Sequence, residues 1–273
     1  MSQSPLISAS ELHGLFEMGR GPVVLDIRWT LQNGSDRAGY EAGHISTAQF
    51  VDLGTKLAAP PDDRGRHPLP DADTFVAAMR GAGVGDDSAV VVYDAGPATA
   101  AARAWWLLRY FGHRDVRVLD GGFARWVDEG YSVGTEPSIV AAGSFTARPP
   151  LARVLEVEDV LAFARENVLL DARAPERFRG EVEPIDPVAG HIPGAVNRPT
   201  TDNVDSDGRF LPPEVLDGAF GGLVPKGKDV AVYCGSGVTA AHQVLALELA
   251  GIDAALYPGS WSGWITDPTR PRA

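Results

Sequence analysis

The chain has 273 residues, of which 24 are basic and 36 acidic, giving a formal net charge of −12; 44% are hydrophobic and 22% charged. That length suits two domains of about 130 residues, and the composition lets each bury a core of its own. An acidic chain without a basic run excludes nucleic acid and anionic membrane surfaces as expected partners, and any anionic ligand needs a local positive site.

At the N-terminus, Met1 to Gly19 has no basic segment leading into an apolar stretch. Ser10-Glu11-Leu12 through Met18 instead reads as the capped start of an amphipathic helix. No run approaches the roughly 18 apolar residues of a membrane span. The single cysteine cannot form an internal disulfide, which fits a reducing cytoplasm and makes a cytosolic enzyme the expectation.

In chain order, the apolar runs 23–27, 90–93, 116–119, 168–171, 230–233 and 254–257 are rich in β-branched residues and bounded by turn formers. They read as buried strands of parallel sheets. Between them, Asp73–Arg80, Ala98–Phe111, Val157–Glu166 and Thr239–Ala250 carry helical patterns. Strands alternating with helices predict an α/β fold with right-handed crossovers. The stretch from about Gly134 to Pro150 is rich in Gly, Ser, Thr and Pro, and predicts a linker over 136–150 between domains at 1–135 and 151–273.

The chain also repeats itself. Val23-Val24-Leu25-Asp26-Ile27-Arg28 returns as Val168-Leu169-Leu170-Asp171-Ala172-Arg173, and Ala42-Gly43-His44-Ile45 as Ala189-Gly190-His191-Ile192. Val90-Val91-Val92-Tyr93-Asp94 returns as Val230-Ala231-Val232-Tyr233-Cys234, and the Gly121–Trp126 block matches Pro258–Trp264. Blocks in the same order with slowly drifting spacing indicate a duplicated domain. In such sheets ligands bind beyond the carboxyl ends of the strands, where Asp94 and Cys234 both stand.

Cys234 opens the segment Cys234-Gly235-Ser236-Gly237-Val238-Thr239-Ala240, which runs into a helix. A lone cysteine is ordinarily a small buried hydrophobe. Here Gly235 and Gly237 permit a tight loop whose N–H groups converge on one point. The helix N-terminus points there too, and Ser236 and Thr239 add hydroxyls. That surrounding favours an anion on sulfur, as a thiolate or a persulfide. A cysteine phosphatase loop needs an arginine at its end to hold phosphate oxygens. This loop ends in Thr239-Ala240, so phosphate chemistry is not expected.

The segment at 234–240 resembles the active-site loop of the two-domain rhodanese-like sulfurtransferases, and is nearest in form to the mercaptopyruvate branch. Gly190-His191-Ile192-Pro193-Gly194-Ala195, Phe111-Gly112-His113, Val118-Leu119-Asp120-Gly121-Gly122-Phe123 and Trp105-Trp106 extend the resemblance along nearly the whole chain. It implies two tandem rhodanese-like domains, each a five-stranded parallel sheet flanked by helices. The first is the catalytically silent copy, with Asp94 in the nucleophile's place.

The implied reaction moves sulfur from 3-mercaptopyruvate or thiosulfate, through a Cys234 persulfide, to cyanide, a thiol or reduced thioredoxin. The alternative is a persulfide carrier that hands sulfur to a protein partner without turnover. The resemblance assigns catalytic roles to Cys234, Ser236 and Thr239. It places Arg177, the loop residues Gly235, Gly237 and Val238, and His67 on the substrate.

Two positions depart from the pattern. Mercaptopyruvate enzymes carry a second arginine after the first, whereas this chain reads Val182-Glu183-Pro184-Ile185-Asp186-Pro187; Arg198 is expected to supply the missing cation. The aspartate of a Cys-Ser-Asp relay falls on Gly54, near Asp52. Arg173 and Arg179 are expected to orient Asp171 or the loop, and His44 and His191 to be structural, since both repeats have them. Trp261 is a candidate to line the site. With no metal-ligand spacing and no nucleotide fingerprint, no cofactor is expected.

Overall fold

The computed structural model describes residues 4–273, which fall into two compact units. The first comprises residues to 59, 70–152 and 206–210; the second comprises 60–69, 153–205 and 211–273. Each unit therefore includes a short segment from the other half of the sequence. The helix expected from Ser10 spans Ala9–Glu17, and its cap is Ser8, whose hydroxyl accepts the Glu11 N–H at 3.1 Å.

All six apolar runs are strands. The first unit's sheet has the order Leu6–Ile7, Val116–Leu119, Val90–Tyr93, Val23–Asp26, Gln49–Phe50, and every pairing is parallel. The second unit repeats this with Arg153–Val154, Ala254–Leu256, Val230–Tyr233, Val168–Asp171 and Val196–Asn197, again all parallel. The central strands are buried along their whole length, as expected of a sheet covered on both faces. Side chains including Leu169, Ala231, Tyr233, Tyr257, Trp261 and Trp264 pack into the second core, beside the strand that ends at Cys234.

The helices Ala72–Gly81, Thr99–Tyr110, Val160–Glu166 and Thr239–Leu249 lie where the pattern places them. The third starts late because residues 157–159 form a turn. Residues 136–150 have no secondary structure, but they are tied down along the first unit. The Gly143, Phe145 and Arg148 N–H groups donate to the Arg80, Val84 and Phe111 carbonyls, and Phe145 is buried against Phe75.

Equivalent ends of the two sheets carry the same buried brace. In the second unit Arg173 forks Asp171 with Nε and Nη2 (Nη2 at 2.7 Å) and donates to the Gly190 carbonyl at 2.8 Å. In the first unit Arg28 does the same with Asp26 and Gly43. The hydroxyls of Tyr233 and Tyr93 accept the Ile192 and Ile45 N–H groups. Buried charges held this way are paired and hydrogen-bonded, and they fix the residue just before each loop.

Candidate active site

Cys234 is buried at the carboxyl end of Val230–Tyr233, and its loop is anchored through its backbone. The Cys234 N–H donates to Ser260 Oγ at 3.0 Å, and that hydroxyl donates to the Tyr257 carbonyl at 3.0 Å. The Trp261 and Ser262 N–H groups donate to the Cys234 and Gly235 carbonyls, each at 2.9 Å. Ser260 makes this possible from a left-handed backbone conformation, φ +52°, which is uncommon outside glycine. The first unit has Gly122, φ +58°, in the equivalent place.

The sulfur lies within reach of the loop's own amides. The Gly237 N–H donates to Cys234 Sγ at 3.2 Å. Gly237 has φ +78°, and an added Cβ would fall 2.4 Å from the Pro258 carbonyl oxygen, so both conformation and space demand glycine. The helix Thr239–Leu249 follows with no side-chain cap. Val238 is buried at its N-cap position, and Thr239 opens its first turn, partly buried.

The equivalent loop of the first unit shows what such a loop holds. Asp94 places Oδ1 on the Gly96 and Ala98 N–H groups at 3.0 and 3.1 Å. Its Oδ2 takes the Ala100 and Ala101 N–H groups at 2.8 and 3.1 Å. Burial pushes this carboxyl above the ordinary range, against the four amides that pull it down. The loop is thus an anion cradle filled by its own side chain. Pro97 stands where the second unit has Gly237. It has no N–H to offer, and its ring forbids positive φ, so the left-handed residue shifts to Ala98, φ +60°.

Cations converge on Gly235. An ideal Cβ on this residue would lie 2.9 Å from Arg66 Nη2 and 3.5 Å from Arg177 Nη1. Gly235 is not in the left-handed region, so it is glycine because two guanidinium groups occupy its side-chain space. Arg177 forks Glu183 at 3.1 and 2.6 Å and reaches Asp186 at 3.2 Å. Arg66 forks Asp186 at 2.9 and 3.2 Å. Arg173 touches Glu183 at 3.4 Å, so six groups alternate in sign: Asp171, Arg173, Glu183, Arg177, Asp186, Arg66. Burial pushes the Glu183 carboxyl up. The Arg177 hydrogen bond, the Asp186 and Ile185 amides and the Arg177 charge outweigh it and hold the group below the ordinary carboxylate range.

His67 meets the loop through Nδ1, 2.8 Å from Ser236 Oγ. A partner for Ser236 is therefore present, although Gly54 stands at the aspartate position; Asp52 instead caps the short helix Leu53–Lys56. Arg198, the cation expected to support Arg177, has partners of its own. Its Nη1 pairs with Asp202 at 2.6 Å, and its guanidinium lies over the Phe220 ring, so it is committed to partners outside the 234–240 loop. Arg66, one residue before His67, is the second cation at Gly235, and sequence reasoning passed over it. Arg179 pairs with Glu181 on the surface. His44 and His191 donate Nδ1 protons to the Tyr40 and Phe178 carbonyls, a structural use in both copies. Trp261 is buried, with Nε1 on the Val188 carbonyl and its ring beneath Arg173, and belongs to the core.

A duplicated parallel-sheet domain with one cysteine loop and one carboxylate-filled loop defines a class, and comparison with known proteins names it. The Rhodanese-like domain family matches residues 8–129 and 156–267. A Pseudomonas aeruginosa protein, named provisionally as a 3-mercaptopyruvate sulfurtransferase, is 47% identical over 100% of this chain and 99% of its own. A Mycobacterium tuberculosis protein, SseB, named provisionally as a thiosulfate sulfurtransferase, is 44% identical over 97% of this chain and 95% of its own. The crystal structure of SseA from Escherichia coli, described as a 3-mercaptopyruvate sulfotransferase, superposes with a TM-score of 0.82 at 34% identity. It covers 95% of this chain and 100% of that one. The chain belongs to the rhodanese family and is a sulfurtransferase with two rhodanese domains.

Proposed function

We propose that Cys234 is the nucleophile and carries sulfur as a persulfide, taken from 3-mercaptopyruvate or thiosulfate and passed to cyanide or to a thiol such as reduced thioredoxin. The observation that carries this reading is the Gly237 N–H on Cys234 Sγ, in a loop whose twin holds a carboxylate. With thiosulfate, the thiolate attacks the outer sulfur, the S–S bond breaks, and sulfite leaves with the electron pair. With mercaptopyruvate, attack on sulfur breaks the C–S bond. The carbon takes the electron pair and the former thiol proton, giving pyruvate. Cyanide then attacks the outer persulfide sulfur, thiocyanate leaves, and the thiolate returns.

Arg177 holds the donor's oxyanion head through Nη1, the nitrogen that Glu183 and Asp186 leave available. Gly235, Gly237 and Val238 line the cradle that receives the charge on sulfur, with Thr239 at the helix start. Ser236, on His67, holds a mobile proton beside the reacting sulfur. The single cysteine suits a reducing compartment, where it stays free between turnovers.

The test is kcat/KM for each donor with cyanide as acceptor, in wild type and Cys234→Ser. Turnover in wild type and none in the serine variant is the expected result. Equal turnover in both overturns the nucleophile assignment. A single release of sulfur per chain, without cycling, overturns turnover in favour of a carrier.

A further inference from the structure

The two guanidinium groups at Gly235 are presented in the same way. Arg177 spends Nε and Nη2 on Glu183 and Asp186, and Arg66 spends Nε and Nη2 on Asp186. The carboxylates thus grip each guanidinium by one edge. Nη1 of each remains without a hydrogen bond among the described residues, and Nη1 of Arg177 and Nη2 of Arg66 are the atoms nearest the Gly235 Cβ position. Asp186 is buried and serves both arginines, so they form one rigid pair instead of two independent side chains.

Arg66 does not arrive there by chance of rotamer. Its N–H donates to Ser262 Oγ at 3.1 Å, and Thr266 Oγ1 donates to the Asp63 carbonyl at 2.9 Å. Gly65, φ +125°, would place a Cβ 2.9 Å from the Gly259 carbonyl oxygen. A Cβ on Gly263 would fall 2.4 Å from the Arg64 carbonyl oxygen. The 63–66 strap is therefore pressed backbone to backbone on the same turn, 259–263, that anchors the Cys234 and Gly235 carbonyls. One turn sets the position of both the thiol and the second cation.

We propose that Arg66 is a specificity-determining residue, forming with Arg177 a paired-guanidinium seat over Gly235 for the oxyanion head, carboxylate or sulfonate, of the sulfur donor. This rests on the sulfur-transfer reading above. Two guanidinium groups side by side, each with Nη1 left to donate, hold a head with several oxygens better than one and discriminate against neutral thiols.

The test uses the full chain carrying Arg66→Met and Arg66→Lys, with two readouts. The first is steady-state turnover with thiosulfate and, separately, 3-mercaptopyruvate. The second is the alkylation rate of Cys234 by anionic iodoacetate relative to neutral iodoacetamide, which needs no sulfur transfer. Arg66→Met is expected to raise KM about tenfold, the worth of one charge-assisted contact, with kcat falling less. It is also expected to cut the iodoacetate-to-iodoacetamide ratio by a similar factor, with Arg66→Lys between it and wild type. An increase in KM confined to one donor supports the seat and identifies that head as its ligand. Unchanged KM for both donors together with an unchanged alkylation ratio overturns the proposal. If wild type turns over neither donor, the sulfur-transfer reading fails, while an Arg66-dependent alkylation ratio still supports the seat.

Discussion

Replacing Gly237 with alanine separates the demands of backbone, space and chemistry at one atom. Alanine at φ +78° costs about 1–2 kcal/mol for the left-handed conformation. Its Cβ would stand 2.4 Å from the Pro258 carbonyl oxygen, part of a backbone that cannot swing aside as a side chain would. Overpacking of that kind adds about 1–3 kcal/mol, so the variant is expected to lose about 2–5 kcal/mol in all. The loop relieves the clash by moving the amide that donates to Cys234 Sγ, which weakens anion stabilisation there. Urea unfolding followed by circular dichroism reads the stability, and iodoacetamide alkylation reads the thiolate. The expected alkylation rate is about tenfold lower, one lost hydrogen bond to a charged group. Gly235→Ala is the control. Its backbone lies outside the left-handed region and its Cβ meets guanidinium tips, Arg66 at 2.9 Å and Arg177 at 3.5 Å, in place of backbone, so the loss should be smaller than in Gly237→Ala, about 1 kcal/mol. Wild-type stability and alkylation in Gly237→Ala would refute the reasoning.

Three further outcomes follow from the same geometry. Ser260→Ala keeps the left-handed strain and strands the Cys234 N–H and Tyr257 carbonyl, whereas Ser260→Gly loses the same bonds but relieves the strain; urea midpoints should rank wild type, then glycine, then alanine, the last about 1–3 kcal/mol down. Asp94→Cys in a Cys234→Ser background is expected to form no thiocyanate above that background, because Pro97 offers no N–H to the sulfur; cyanide-dependent turnover is the check. Glu183 has a native pKa depressed by Arg177 and the loop amides. Its contribution to stability is therefore present above the unfolded value of about 4.3 and lost as pH falls through the lower native value. Glu183→Gln should be less stable than wild type at neutral pH, with the difference shrinking in acid as measured by unfolding across pH 2–7, a range of about five units.

The strands, their parallel pairing and the duplicated topology were legible because buried central strands need continuous apolar runs and because the two copies can be read against each other. The repeat also pointed to Asp94 and Cys234 as equivalent strand-end positions. It could not show that four amides hold the Asp94 carboxylate, since no residue type in Asp94-Ala95-Gly96-Pro97 announces it. Arg66 was missed for a different reason. Its partners Asp186 and Ser262 are distant in sequence, and residues 60–69 group with the second unit although in sequence they lie between the first unit's strands Gln49–Phe50 and Val90–Tyr93. The available signal was Gly65 beside it, with Gly259 and Gly263 far along the chain, where close backbone approach leaves no room for a Cβ. Arg198 drew attention because it stands where the resembling family has an apolar residue and a second cation was lacking; Asp202, four residues on, pairs with it. Ser260 was harder to recognise, because serine rarely adopts a left-handed backbone and only its place opposite Gly122 in the repeat hints at one.

The central claim is that sulfur rides on Cys234, and intact-mass spectrometry tests it most directly. Wild-type protein exposed to thiosulfate or 3-mercaptopyruvate and then freed of donor should gain the mass of one sulfur atom, located on the peptide containing Cys234 and removed by cyanide. The Cys234→Ser variant should gain nothing. A sulfur adduct on the serine variant, or a wild type that turns over donor without ever carrying the added mass, would contradict the account.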